Sequence, residues 1–319
     1  MTLNSTLSPV PYFILDAYIT VGTLRYFYFV IALTLYAAII VVNVLLIVVI
    51  CVNRSLHEPM YMFLCSLFVN ELYGSTSLFP FLLVQILSDV HTVSVPLCFL
   101  QIFCLYSYVN VEFCNLAIMS YDRYLAICCP LKYNTLMTFG TAGLFVGVIW
   151  LSSVRCLITI ILSLRLTLCG NVLSSLYCQN YMIVKLACSN TNLNNIYGLF
   201  ATTLSVLVPL LPILFSYMKI LRICCSASSQ TRQKAINTCM PHLVSLLNFT
   251  FGCLFEIIQS RFDMINVPSV LRFILSLYFG ILQPLLNPII FGMQMSKIRN
   301  ICKEFLYKRR LSLTTSFTF

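Results

Sequence analysis

Long apolar runs alternate with short polar segments along this 319-residue chain. A helix needs about 20 consecutive apolar residues to cross a bilayer, and backbone groups in lipid must be hydrogen-bonded within the segment. Because the ten-residue alternation of a membrane β-barrel is absent from the sequence, each run is predicted to be a helix. The seven predicted spans are Phe27–Val52, Pro59–Leu87, Val93–Ile127, Phe139–Leu164, Ile196–Ile223, Met240–Ile258 and Val270–Met293.

Composition agrees with this pattern. Hydrophobic residues make up 60% of the chain, charged residues only 9%, and the mean hydropathy is +0.94. A soluble fold needs far more charged surface. We therefore expect an all-α membrane protein, a seven-transmembrane helix bundle at residues 27–293 that follows an extracellular N-terminus at 1–26. Apolar residues at helical spacing in Met295–Arg310 predict a short amphipathic helix on the inner leaflet, within a cytoplasmic segment at 294–319.

The distribution of basic residues predicts the orientation. Seven spans put the termini on opposite sides, and an external N-terminus places thirteen of the 19 Lys and Arg residues inside, as the positive-inside rule requires. The acceptor tripeptide that begins at Asn4 would then be glycosylated outside. No cleaved signal peptide is expected. The net charge of +10 is attributed to topology and lipid headgroups, with no run that indicates nucleic acid.

Four of the 16 cysteines fall on the predicted outer side: Cys98, Cys169, Cys178 and Cys188. An even number in an oxidising compartment indicates two disulfides. Spacing leaves all three pairings open, and free buried thiols are the alternative.

Polar groups recur at one depth of the predicted bundle. Glu71 lies ~18 Å from the inner end of the second span and Glu112 ~16 Å from that of the third, at the rise of a helix. Asn43 and Asn287 lie ~12–15 Å from the inner ends of spans one and seven. Two close carboxylates need a shared proton or a cation, and oxygen ligands suit a hard cation such as sodium. A polar core that only packs helices, a cation-linked or proton-linked switch and a proton relay all remain open.

Asp122 and Arg123 lie at the inner end of the third span. Such a pair could hold the arginine in one state and release it toward an intracellular partner in another. A simple interfacial anchor is the competing interpretation.

Other functional classes lack their sequence signals. A transporter predicts inverted repeats or broken helices, and neither is evident. An enzyme is not expected, because HExxH, GxSxG and phosphate-binding glycine loops are absent from the sequence. An amine receptor would place an acid in the outer half of the third span, where Leu105 and Tyr106 stand.

Five segments carry a family resemblance. The chain resembles rhodopsin-like G-protein-coupled receptors and, among them, the odorant receptors. The sequence of Cys239–Glu256 looks more like that of fish odorant receptors than that of mammalian ones. The matching segments are PMYMFLCSL (59–67), MSYDRYLAICCPLKY (119–133), SYMKI (216–220), KAINTCMPHL (234–243) and NPIIF (287–291).

This resemblance implies a function. The receptor would bind small odorants in an outer transmembrane cavity and activate a stimulatory olfactory-type G protein, raising cyclic AMP, at the plasma membrane of olfactory neuron cilia. No cofactor is required, although a sodium ion at Glu71 and Glu112 is implied. A non-olfactory rhodopsin-like receptor is the alternative, and a cation-coupled or proton-coupled transporter is the more distant one.

The resemblance also implies roles for particular residues. Cys98 would pair with Cys178, and Cys169 with Cys188. Arg123 would contact the G protein, with Asp122 as its resting partner and Tyr217 as its active-state contact. The other implied switch residues are Tyr124, Lys234, His242, Asn287 and Pro288.

Helical position and the family pattern together indicate the ligand residues. Each of them could instead only pack the bundle. Arg261 could bind an acidic odorant, or be neutralised by Asp263. We expect Arg155 to extend toward the membrane surface, with ligand pairing as the alternative. The remaining candidates are Tyr106, Val109, Asn110, Thr202, Ser205, Thr250, Cys253, Ile257 and Leu277.

Three positions depart from the family pattern. Phe291 replaces the tyrosine of the span-seven motif, and Val42 stands where glycine is usual. Asn248-Phe249-Thr250 occupies the place of an aromatic–glycine toggle. Switching at span six is therefore expected to differ in detail.

Overall fold

The computed structural model describes residues 11–18, 24–226, 228–261, 269–294 and 297–301. Over these residues, six helices are long and apolar enough to cross a membrane. A further helix covers the predicted seventh span, and its described apolar part runs from Gly280 to Gly292. The predicted all-α membrane bundle is confirmed. The seven spans are helical over Leu24–Val52, Pro59–Leu87, Val95–Cys128, Phe139–Leu164, Asn192–Ser226, Ser229–Arg261 and Ser269–Gln294.

Two spans contain irregular turns that were not predicted. In span four, a 3₁₀ turn at Ser153–Arg155 separates the helices Phe139–Ser152 and Cys156–Leu164. In span five, a π-helical turn at Thr203–Leu207 separates Asn192–Thr202 from Val208–Ser226. Single π turns often occur at functional sites.

Several observed boundaries differ from the predicted ones, and two of the differences have a clear physical reason. Span three begins at Val95 because Thr92–Ser94 forms a strand, and its helix starts directly after it. Span six begins at Ser229, well before the predicted Met240. Eight of its first ten residues are polar, so apolar length does not detect a helix that continues into the aqueous phase.

A three-stranded sheet, absent from the all-α prediction, covers the outer face of the bundle. Strand β1 (Tyr12–Leu15) is central, antiparallel to β2 (Thr92–Ser94) and parallel to β3 (Val172–Leu173). Phe13, on β1, is fully buried in a cluster with Cys98 and Cys178. The N-terminal segment is thereby attached to the outer loops that precede spans three and five.

Short helices occupy the connections. Pro130–Leu136 lies between spans three and four on the inner side, and Asn180–Lys185 lies in the long outer loop. Residues 297–301, the described part of the predicted amphipathic helix, are helical, and Lys297 pairs with Glu58 at 2.7 Å. The rest of that prediction, and the glycosylation site at Asn4, lie outside the described residues.

Candidate functional site

A cavity of about 200 Å³ lies between spans three, four, five and six, below the long outer loop. It is in the outer half of the bundle, where the ligand site was predicted. The loop helix contributes Asn180 and Tyr181 to its wall. The predicted ligand residues that line it are Tyr106, Val109, Thr202, Ser205, Cys253, Ile257 and Arg261.

The remaining predicted ligand residues lie elsewhere. Asn110 is fully buried outside the wall, where its amide donates to the hydroxyl oxygens of Ser152 (2.8 Å) and Ser153 (3.2 Å). Thr250 is also off the wall, and its buried hydroxyl has no hydrogen-bond partner among the described residues. The side chain of Leu277 lies outside the described part of the chain.

The prediction for Arg155 was wrong. Its guanidinium lines the cavity and donates to Ser205 Oγ at 2.8 Å and to Asn110 Oδ1. Extension toward the membrane surface therefore does not occur, because acceptors on spans three and five hold the side chain inward. The 3₁₀ turn brings Arg155 to this point, and Tyr197 of span five donates to its carbonyl at 3.0 Å.

Arg261 lies at the outer end of span six with its guanidinium carbon 3.9 Å from the centroid of the Tyr181 ring. This is a cation–π contact between span six and the outer loop. Asp263, the alternative partner considered for Arg261, lies outside the described residues.

Some cavity residues were not predicted. Glu256, one turn of helix before Arg261, lines the wall and accepts a hydrogen bond from Gln179 Nε2 at 2.8 Å. Glu256 could have been predicted from the sequence, since an ionisable residue inside a predicted span indicates function. Gln179 and Tyr177 come from the outer loop. No local sequence pattern indicates that this loop lies over the cavity. Burial and then the charge of Glu256 raise the pKa of Tyr177.

Both disulfides have the pairing that the resemblance implies. Cys98 is joined to Cys178, and Cys169 to Cys188. Cys178 belongs to the cavity wall, so the first bond fixes the loop to the start of span three directly above the cavity. A closed covalent loop restricts the conformations that this cover can adopt.

The polar groups predicted at one depth do meet. Glu71 and Glu112 are both fully buried, and the Asn287 amide donates to Oε1 of each, at 3.0 Å to Glu112. Asn43 is the exception. Its amide donates to the Pro284 carbonyl at 2.9 Å rather than to a carboxylate.

Three further side chains complete this polar core and were not predicted. Tyr108 donates to Glu71 Oε2 at 3.0 Å, Asn70 to Glu112 Oε2 at 2.9 Å, and Gln283 to Glu112 Oε1 at 3.2 Å. Asn70 and Gln283 could have been found, because each is an amide side chain within an apolar span. Tyr108 could not, since tyrosine is common at any depth of such spans.

At the inner end of span three, Arg123 is bound to Asp122. Its Nη2 lies 2.7 Å and its Nε 3.1 Å from Asp122 Oδ2, while the Tyr133 hydroxyl donates to Oδ1 at 2.9 Å. The Asp122 side chain is fully buried and that of Arg123 is 15% exposed. Burial, and then Asp122, raise the pKa of Tyr133, so its phenol remains a donor.

The other predicted switch residues surround this pair or lie above it. The Tyr217 hydroxyl is buried without a hydrogen-bond partner among the described residues. Tyr124 packs on Phe215. His242 is 2% exposed and packs edge-on against Phe291, the residue that replaces tyrosine. Pro288 is buried in span seven next to Asn287. The side chain of Lys234 lies outside the described residues.

Comparison with known proteins agrees with this architecture. A sequence profile described as "Olfactory receptor" matches residues 32–309. The chain is similar to human olfactory receptor 51G1 (35% identical, covering 87% of each chain) and to human olfactory receptor 52D1 (33%, covering 88% of this chain and 89% of that one). It is also similar to olfactory receptor 1D2 of Pongo pygmaeus (34%, covering 82% and 83%). These relatives are mammalian. The resemblance of the span-six sequence to fish odorant receptors therefore stays a prediction. With a family match over most of its length and relatives at 33–35% identity, the chain belongs to the olfactory receptor family.

Proposed function

We propose that this protein is an odorant receptor whose ligand site is the cavity between spans three to six. The observation that carries the proposal is the cavity, covered by a disulfide-bonded loop, in a bundle that also holds the Asp122–Arg123 pair at its inner end. Ligand sites between helices are usually concave and mostly apolar, with a few polar groups.

The route from cavity to inner face runs through span six. Cys253 lines the cavity, and Phe249 lies one turn further inward on the same helix. Phe249 packs on Phe113 (centroids 4.9 Å apart) and on Tyr108 (5.8 Å), which in turn binds Glu71. A ligand that contacts Cys253 or Ile257 can favour a different position of span six only if it binds that arrangement more tightly.

The proposed outputs follow the family. Outward movement of span six would free Arg123 for a stimulatory olfactory-type G protein, and cyclic AMP would rise. Tyr217, whose hydroxyl has no hydrogen-bond partner among the described residues, would supply an acceptor for the released arginine. The proposed location is the plasma membrane of olfactory neuron cilia, with the N-terminus outside.

A cyclic AMP assay tests the proposal. Cells that express the chain are challenged with pooled amino acids, bile acids and small organic acids, and wild type is compared with Arg123→Ala at equal surface level. We expect a ligand response that is lost in Arg123→Ala and kept in Arg54→Ala, which removes an exposed charge from the first inner turn. An equal response in Arg123→Ala would reject the role of this arginine.

We also propose that the polar core holds a sodium ion. The residues fit, because two fully buried carboxylates face one another across Asn287 and the buried amide oxygen of Asn70 has no hydrogen-bond partner among the described residues. Glu71 and Glu112 would hold the ion. Its charge would offset the repulsion between them.

Thermal unfolding of the purified receptor tests the ion site. Wild type should unfold at a higher temperature in sodium chloride than in choline chloride at equal ionic strength, because an ion bound only to the folded state stabilises it. Glu71→Gln and Glu112→Gln should lose this difference. Glu58→Gln, which removes an exposed carboxylate at the inner face, should keep it. The same temperature in both salts for wild type would count against a sodium site.

A further inference from the structure

Arg155 places a positive charge inside the transmembrane bundle, and no described carboxylate pairs with it. The ion pairs formed among the described residues are Arg25–Asp89, Arg123–Asp122 and Lys297–Glu58, and none includes Arg155. Its described acceptors, Ser205 Oγ and Asn110 Oδ1, are neutral. Its buried Nε has no hydrogen-bond partner among those residues. A charge inside a span is costly and usually pairs with an opposite charge.

The cavity itself offers little negative charge to this guanidinium. Among the described residues of the wall, Glu256 is the one acidic side chain, and it binds Gln179 of the outer loop. No ion pair joins it to Arg155 within the described part of the chain. The described part of the wall therefore supplies no carboxylate that is paired with Arg155, and its guanidinium faces a space that a ligand can enter.

Arg155 and Arg261 differ in what they can do for a ligand. Arg261 is exposed at the mouth and already stacks on Tyr181, so it can attract anions electrostatically. Arg155 is half-buried beside the π turn of span five, where Ser205 and Asn110 both accept from its Nη2. Nη1 and Nε, the latter without a hydrogen-bond partner among the described residues, remain as donors for charge-assisted hydrogen bonds to a carboxylate.

We propose that the cavity recognises small carboxylic acids and that Arg155 binds the carboxylate directly, with Asn110 and Ser205 as positioning residues. The proposal deepens the proposed function, since it takes this cavity as the odorant site. Asn110 thus acts on the ligand through Arg155, although it lies off the wall. A volume of about 200 Å³ suits small acids.

The test measures binding to the purified receptor without a G protein. Small aliphatic and aromatic carboxylic acids are each paired with the primary amide of the same carbon skeleton, and dissociation constants are derived from ligand-dependent thermal shifts. Wild type should bind at least one acid more tightly than its amide. In Arg155→Gln, which keeps an amide donor but no charge, the dissociation constant of the acid should rise about 10-fold to 100-fold. That of the amide should change little, as a purely structural role would not predict.

Three further variants sharpen the result. Arg155→Lys keeps the charge but lacks the several fixed donors of the guanidinium, so the preference for the acid should persist at reduced strength. This variant also tests the proposal if Arg155→Gln does not fold. Arg165→Gln removes an exposed charge near the end of the same span and should bind both ligands like wild type. Arg261→Gln should weaken acid binding less than Arg155→Gln.

Two outcomes would overturn the proposal. One is a wild-type receptor that binds no acid more tightly than its amide, and the other is an acid preference that survives in Arg155→Gln but disappears in Arg261→Gln. Because binding is measured without signalling, failure of the cyclic AMP response would reject the proposed function and leave this result intact.

Discussion

Asp122 binds donors from two different elements. Arg123 comes from the same helix, and the Tyr133 hydroxyl comes from the short inner helix Pro130–Leu136. The buried carboxylate is thus satisfied by one charged and one neutral donor. The ionic contact with Arg123 accounts for more of the stabilisation than the bond from Tyr133, since hydrogen bonds to charged groups are stronger when both partners are ionised.

We expect Asp122→Asn to raise cyclic AMP without ligand. Loss of a charge-assisted bond should shift the equilibrium between bound and released Arg123 by about tenfold or more. Tyr133→Phe removes only the neutral donor and should give a smaller rise in the same assay. Lower basal signalling in both variants, at equal surface level, would contradict the idea that Asp122 restrains Arg123.

The packing of spans two and three depends on a glycine. A Cβ on Gly74 would lie 2.5 Å from Cδ2 of Tyr108. This ring has little freedom to move, because it is 1% exposed, packs on Phe249 and donates to Glu71. Gly74 therefore allows the close approach on which one bond of the polar core depends.

We expect Gly74→Ala to destabilise the receptor by about 1–3 kcal/mol, as overpacking in cores does. Gly147→Ala is the matched control, since nothing lies within 4 Å of its added methyl group. It should be neutral or slightly stabilising, because alanine is the better helix former. Thermal unfolding of the purified variants measures both effects, and equal unfolding temperatures would refute the role of the close contact.

For the whole molecule, orientation is the property that basic residues determine. We expect an epitope tag before Met1 to be stained on intact cells and a tag after Phe319 only after permeabilisation, because seven spans separate the termini and the inner side carries most basic residues. The opposite staining pattern would contradict this orientation. The proposed ligand site would then face the cytoplasm and the proposed G-protein site the outside.

The predictions from sequence succeeded where the physical cause is local. Apolar length located the spans, and helical rise placed Glu71 and Glu112 at the depth where Asn287 binds both. They failed for Arg155, because a residue count gives depth along a helix but not the direction of the side chain around it.

The sequence by itself determined the number of membrane spans, the level of the buried carboxylates and the family, since hydropathy, helical rise and short motifs act within single segments. Tertiary structure decided which side chains share a cavity. The rotation of each span depends on packing such as that of Gly74 on Tyr108, and the outer loop is held over Glu256 and Arg155 by a disulfide that closes across 80 residues. Interactions between such distant segments exist only once the bundle has formed.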